Sequence, residues 1–264
     1  MNIYTKESLI NKLNEITNLG FIPNARLGNH GGIGNTLEDL LGIEENNLPI
    51  PNAVEWELKT QRLNTSALNT LFHVEPSPRA IKFVPSILLP LYGWQHKEAG
   101  KKYPQTEMSF RQTIHGNSTS DRGFIVIIDR KNKRIEISFD VNKVSIKHRE
   151  WLQTVKDRVG NLNELTPQPY WGFDDLEHKI GSKLHNCFFV QAAVKKIGGV
   201  EHYWYKKVQM LQTFSFQGFL NELERGNILV DFDARTGHNH GTKFRLRQNC
   251  YPYLYKTSKL VIDK

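Results

Sequence analysis

The segment Pro51-Asn-Ala-Val-Glu-Trp-Glu-Leu-Lys-Thr60 constrains this chain more than any other. Val54, Trp56 and Leu58 alternate with Glu55, Glu57 and Lys59, and a period of two sends successive side chains to opposite faces of a strand. One face is apolar and needs a core. The other gathers two carboxylates and an ammonium. An exposed edge strand with alternating Glu and Lys would show the same pattern, so the segment alone leaves two readings open. The chemical one is hydrolysis of a phosphodiester. That reaction needs an activated water, neutralised charge on the phosphorane-like oxygens and help for the leaving oxygen, and a hard divalent cation serves all three. Mg²⁺ is usually held by one or two carboxylates plus substrate phosphate, which makes Glu57 and a second carboxylate such as Glu38 plausible ligands. Lys59, two residues along the same face, can reach the same phosphate and orient the water. A Glu-x-Lys triplet arises by chance on the order of once per chain at ordinary residue frequencies. It gains meaning only in combination.

The rest of the chain reads as mixed α/β. Thr5 can cap a helix carrying Leu9, Ile10, Leu13 and Ile16 at helical spacing, ended by Gly20. A glycine-rich stretch, Gly28 to Gly34, leads into a short helix expected from Thr36 to Leu41, with Glu38 on its first turn and Gly42 as its stop. No Gly-Lys-Ser/Thr follows to make a phosphate-cradling loop. Gly123–Asp129 and Arg134–Phe139 read as a hairpin, and 176–184 as a helix feeding a buried strand over 187–195. Gly198-Gly199 turns the chain into the segment Glu201 to Met210. A helix over 214–224, ended by Gly226, precedes a strand over 227–233. A polar loop, Ala234 to Asn239, and a last strand near 242–247 complete the reading.

Composition narrows the class. With 39% hydrophobic and 11% aromatic residues, 264 residues can build a packed core. No apolar run approaches the roughly 20 residues that span a bilayer, and the polar start is unlike a signal peptide, so a cytoplasmic protein with no membrane partner is expected. Cys187 and Cys250 stand alone, without a CxxC, and are expected to be reduced. Thirty-five Lys and Arg against 27 Asp and Glu give +8, which favours a polyanionic partner. Basic residues cluster at Lys97, Lys101, Lys102 and Arg111 and again at Lys143, Lys147, His148 and Arg149, with Trp94, Tyr103 and Trp151 among them. Solvated loops and helix faces are the plainer account of both clusters. His238-Asn-His240 spells another nuclease class, but that class needs further ligands at defined spacing, and two histidines alone make a weak zinc site.

Taken in order, these motifs resemble the MvaI and BcnI family of type II restriction endonucleases and, more remotely, the MutH mismatch-repair nuclease. The likeness runs through Gly32-Ile-Gly-Asn-Thr-Leu-Glu-Asp-Leu-Leu-Gly42, Glu57-Leu-Lys59 and Ala67-Leu-Asn-Thr-Leu-Phe-His73, and resumes at Tyr170-Trp-Gly-Phe-Asp174 and Val230 to Arg245. The resemblance implies a restriction-endonuclease-like α/β fold, a mixed central sheet flanked by helices, with two lobes around a DNA cleft. It implies one nuclease domain over 1–264, its catalytic lobe at about 1–150 and its DNA-recognition lobe at about 151–264. It further implies a Mg²⁺-dependent monomer without an obligatory protein partner, which cuts double-stranded DNA at CC-N-GG-like sites by sequential nicking.

Residue by residue, the family's helix glutamate falls on Glu38 and its strand glutamate and lysine on Glu57 and Lys59. Its metal-binding aspartate, five residues before the strand glutamate, is replaced here by Asn52, which leaves Asn52 and Glu57 as the expected metal positions. An amide is a poorer Mg²⁺ ligand, and Glu55 lies roughly 6–7 Å from Glu57 along a strand, too far to replace it fully. Weak activity or a disabling substitution follows, and the second is preferred. For DNA reading the resemblance points to Asp231, Asp233, Arg235, His238, Lys243 and Arg245. Arg245 suits guanine and Asp231 suits cytosine N4. His73 falls where a family histidine probes the central base pair, and Lys243 where a second such histidine would stand. A MutH-like nicking enzyme and a catalytically silent DNA-binding protein are the alternatives.

Overall fold

A computed structural model describes residues 4–26, 32–43 and 55–264. Asn52, with Val54 and the glycines at 28 and 31, lies outside the described residues. The first helix, α1 (Lys6–Asn18), starts where expected, because Thr5 Oγ1 accepts the Ser8 amide at 3.2 Å. A short strand β1 (Ile22–Pro23) leads to α2 (Gly32–Leu41) and then to β2 (Glu57–Arg62) and β3 (Asn69–His73). Next come α3 (Leu89–Tyr92), β4 (Trp94–Gln95), β5 (Met108–Ile114) and the hairpin β6 (Arg122–Asp129) with β7 (Arg134–Val144). Helix α4 (Arg149–Val159), β8 (Tyr170–Gly172) and α5 (Phe173–Leu184) precede the long antiparallel pair β9 (Asn186–Ile197) and β10 (Val200–Phe214). The chain closes with α6 (Phe216–Glu224), β11 (Ile228–Arg235), β12 (His238–Asn239), β13 (Lys243–Leu246) and β14 (Tyr255–Asp263).

The elements pack into two compact units, one of residues 1–67, 177–218 and 248–264, the other of 68–176 and 219–247. Each is assembled from separated stretches, whereas the sequence reading divides the chain once near residue 150. In the first unit the sheet runs β1-β10-β9-β2, with β14 also on β10. The sheet is mixed: β2 is parallel to β9, while the other pairs are antiparallel. Leu9, Leu13 and Ile16 of α1 and Leu37 and Leu41 of α2 pack with Trp56, Leu58, Phe188, Val190, Tyr203 and Tyr205. That cluster occupies the apolar face of β2 predicted from alternation. In the second unit a six-stranded sheet runs β3-β13-β11-β5-β4, with β12 on β11, and a three-stranded sheet runs β6-β7-β8.

Three expectations need correction. Helix α2 begins at Gly32 rather than Thr36, which moves Glu38 from the first turn to the second. A Cβ at Gly32 would lie 2.7 Å from the Tyr203 hydroxyl and 2.8 Å from the Asn24 side-chain nitrogen, so a larger residue there would have to displace those side chains. The loop expected at 234–239 contains the end of β11 and the strand β12, which pairs with it. The strand near 242–247 is not the last, because β14 adds to β10 along 207–214.

Candidate active site

Position within the sheet, more than residue type, sets the character of Glu57 and Lys59. Strand β2 pairs with β9 alone among the described residues, so it is an edge, yet its polar side chains are not solvated. Glu57 is 2% and Lys59 15% exposed. That burial removes the exposed-edge reading. Lys59 Nζ sits 2.9 Å from Glu57 Oε1, while Glu57 Oε2 is buried without a hydrogen-bond partner. The same face of the sheet carries Cys187, the register partner of Glu57, and Phe189, which stacks on Tyr251 at 4.5 Å. Burial pushes the Cys187 thiol up to about 12 and holds the Tyr251 and Tyr255 phenols well above their ordinary value. A neutral floor therefore lies under the carboxylate–ammonium pair. Low polarity beneath it strengthens every charge interaction the pair makes.

The recognition candidates meet on the other unit's six-stranded sheet. Register places His73, Lys243, Asp231 and Thr113 in one row across β3, β13, β11 and β5. Asp233 stands opposite Arg111. Phe72, Phe110, Phe232 and Phe244 fill the buried face, so alternation leaves the charged residues on the outer one. There the acids and bases pair. Arg245 Nη1 is 3.2 Å from Asp231 Oδ2, and Thr113 donates to Asp231 Oδ1 at 2.8 Å. Arg111 Nε is 2.7 Å from Asp233 Oδ1, and Lys243 Nζ is 3.8 Å from Asp233 Oδ2. These side chains line a polar depression of about 270 Å³. Arg235 is engaged elsewhere: it pairs with Glu107 at 3.0 Å and lies over the Tyr103 ring at 4.8 Å. His238 is exposed, its ring 4.2 Å from that of His240.

Over residues 10–255 the chain matches the model of the MvaI/BcnI restriction endonuclease family. The chain belongs to that family. Membership makes it a restriction endonuclease, a site-specific deoxyribonuclease. Among solved structures it is similar to the restriction endonuclease MvaI–cognate DNA substrate complex, with a TM-score of 0.75 and 24% identity, covering 98% of this chain and 100% of that one. The structure of MvaI in the absence of DNA matches with a TM-score of 0.55 and 23% identity, covering 99% and 100% of the two chains. At such identities the likeness concerns the restriction-endonuclease-like fold. No curated protein matches.

Within this member of the MvaI/BcnI family, Glu57 and Lys59 are brought together on one face of β2. Glu38 is half-buried on α2, a helix seated through Leu37 and Leu41 against the apolar side of β2. Glu55 is exposed just before β2. Among the described residues no cluster of three or more His, Cys, Asp or Glu side chains is arranged to hold a metal ion. The Glu57 carboxylate nonetheless fits a hard cation, because one oxygen is buried and unpartnered and Mg²⁺ takes few protein ligands. Sequence reasoning missed Arg111 and Thr113, which line the depression from β5, and Lys183 on α5, whose Nζ is 4.0 Å from Glu57 Oε1. By sequence Arg111 belongs to a basic cluster that a solvated face explains, and nothing in the residues around it signals that β5 lies beside β11.

Proposed function

We propose that this restriction endonuclease hydrolyses DNA phosphodiester bonds with Mg²⁺ at a short CC-N-GG-like site, as a monomer that nicks one strand and then the other. The observation that carries this reading is the buried Glu57 carboxylate, one oxygen paired with Lys59 at 2.9 Å and the other left without a partner. Glu57 would hold the cation, together with position 52 and the substrate phosphate, and Glu38 would take part from α2. Bound there, Mg²⁺ would supply charge neutralisation at the scissile phosphate and a more acidic water. Lys59, fixed against Glu57, would hold and orient the attacking water and the phosphate oxygen.

Base reading would fall to the outer face of the six-stranded sheet. Asp231 can accept from cytosine N4 and Arg245 can donate twice to guanine, and the two already share one carboxylate contact, so an acceptor and a donor fork stand side by side for a C·G pair. His73 and Lys243, neighbours in register, would meet the central base pair. Arg235, His238 and Asp233 would complete the DNA contacts.

Supercoiled plasmid incubated with Mg²⁺ and either this chain or its Asn52→Asp variant tests the reading. Nicked circles followed by linear product with discrete ends are expected from the variant. Binding without cleavage by both proteins would favour a silent DNA-binding protein, the reading that Asn52 itself supports. Nicked circles that never become linear would favour a MutH-like nicking enzyme.

A further inference from the structure

Glu57 has a second cationic neighbour that the Glu-x-Lys pattern does not contain. Helix α5 ends at Leu184 and the chain enters β9 two residues later, at Asn186. Cys187 of β9 is the register partner of Glu57, so the last turn of α5 is delivered to the start of β2 by the fold itself. Lys183 in that turn places its Nζ 4.0 Å from the Glu57 oxygen that Lys59 already contacts at 2.9 Å. A separation of 4.0 Å is the outer limit of an ion pair, and the side chain is 31% exposed. The ammonium is near the carboxylate without being spent on it. Its charge matters because Glu57 and Lys59 cancel each other, whereas Glu57, Lys59 and Lys183 together carry one net positive charge.

Resting on the nuclease reading above, we propose that Lys183 is a second phosphate-holding cation of this site, which binds the DNA backbone against Glu57 and Lys59 before any metal arrives. A phosphodiester carries one negative charge, which the sum of Glu57, Lys59 and Lys183 matches and the sum of Glu57 and Lys59 does not. An ammonium suits this role as a compact point charge on a flexible stem, able to leave the edge of one anion for another. Lys183 here is a positioning and binding residue. Lys59, the nearer and more buried of the two, keeps the contact with the carboxylate.

The test is metal-free binding of a fluorescent duplex carrying CC-N-GG, in EDTA, at salt concentrations from about 50 to 200 mM. Lys183→Gln is expected to bind roughly tenfold more weakly, with a log–log salt slope shallower by about 0.9, the change for one lost phosphate contact. Lys183→Arg, which keeps the charge, should stay close to the parent in both, and the thermal midpoints of all three should coincide. Lys183→Gln with the parent's affinity and slope would overturn the proposal and leave the nuclease reading standing. So would a Lys183→Arg that loses as much as Lys183→Gln, because shape rather than charge would then matter. A parent chain that shows no salt-dependent binding to duplex would instead overturn the nuclease reading, and this proposal with it.

Discussion

Lys59 Nζ and Glu57 Oε1 stand 2.9 Å apart on one face of β2, and the carboxylate's other oxygen is buried with no partner. A pair this enclosed is costly to break from one side. Lys59→Met leaves a buried carboxylate whose remaining cationic neighbour among the described residues is Lys183 at 4.0 Å, and is expected to lower stability by up to about 3 kcal/mol. Replacing both partners, as Glu57→Gln with Lys59→Met, should recover much of that loss, because no unpaired charge remains buried. In the Asn52→Asp background, cleavage should fall by at least about 10²-fold with either change, the scale for losing one preorganised charge contact. Urea unfolding beside plasmid cleavage checks both halves, and a single variant no less stable than the double would refute the energetic part.

Position 52 carries a separate prediction, because the resemblance to the family leads one to expect an aspartate where this chain has the neutral Asn52. Asn52→Asp is expected to raise Mg²⁺-dependent cleavage on duplex carrying the right site, with little change in metal-free DNA affinity. Rates equal to or below those of the parent would show that position 52 is not what limits this chain.

Local signals carried much of the fold, and long-range ones account for what was missed. Thr5 with Leu9, Leu13 and Ile16 makes α1 readable because capping and periodicity act within one turn or two. Gly198-Gly199, both at positive φ, likewise announce the turn between β9 and β10. The start of α2 was hidden, since glycine weakens a helix locally and the crowding at Gly32 comes from Tyr203, far along the chain, together with Asn24. Strand β14 was hidden because Lys256 to Lys259 are exposed and show no apolar alternation, their order coming from pairing with β10. At the active site the Glu57–Lys59 pair was legible from spacing of two. Lys183 was not, because it reaches Glu57 through the parallel pairing of β2 with β9, a register no local pattern encodes.

On the six-stranded sheet, the geometry of the Arg245 fork matters as much as its charge. Arg245 Nη1 lies 3.2 Å from Asp231 Oδ2 while Nη2 donates to the Leu68 carbonyl at 3.2 Å, so the guanidinium plane is fixed from two sides. Lys cannot reproduce a planar fork. Arg245→Lys should therefore retain general DNA affinity yet lose about 1–3 kcal/mol of discrimination at one G·C pair. Selection from duplexes randomised within the site would show relaxed preference at that position. Uniformly weaker binding with unchanged preference would make Arg245 a backbone contact instead.

Acid should act on the first unit through Glu201. Arg62 donates from Nη1 to Oε1 at 2.9 Å and from Nη2 to Oε2 at 2.7 Å, and the Tyr203 hydroxyl adds a hydrogen bond to Oε2 at 2.9 Å. The guanidinium foremost, with the phenol's help, holds the Glu201 carboxyl below its ordinary 4.5. A carboxylate depressed in the folded state stabilises it at pH values above the unfolded value, and that contribution disappears as pH falls through the lower folded value. Because both side chains are partly exposed, the pair is worth about 1 kcal/mol or less. Glu201→Gln should thus unfold slightly more easily than the parent at pH 7, and the difference should shrink progressively once the pH drops below 4.5. Unfolding midpoints measured in urea from pH 7 down to about 3 decide the matter. A gap that stays constant throughout would mean that Glu201 acts through packing of Tyr203 rather than through its charge.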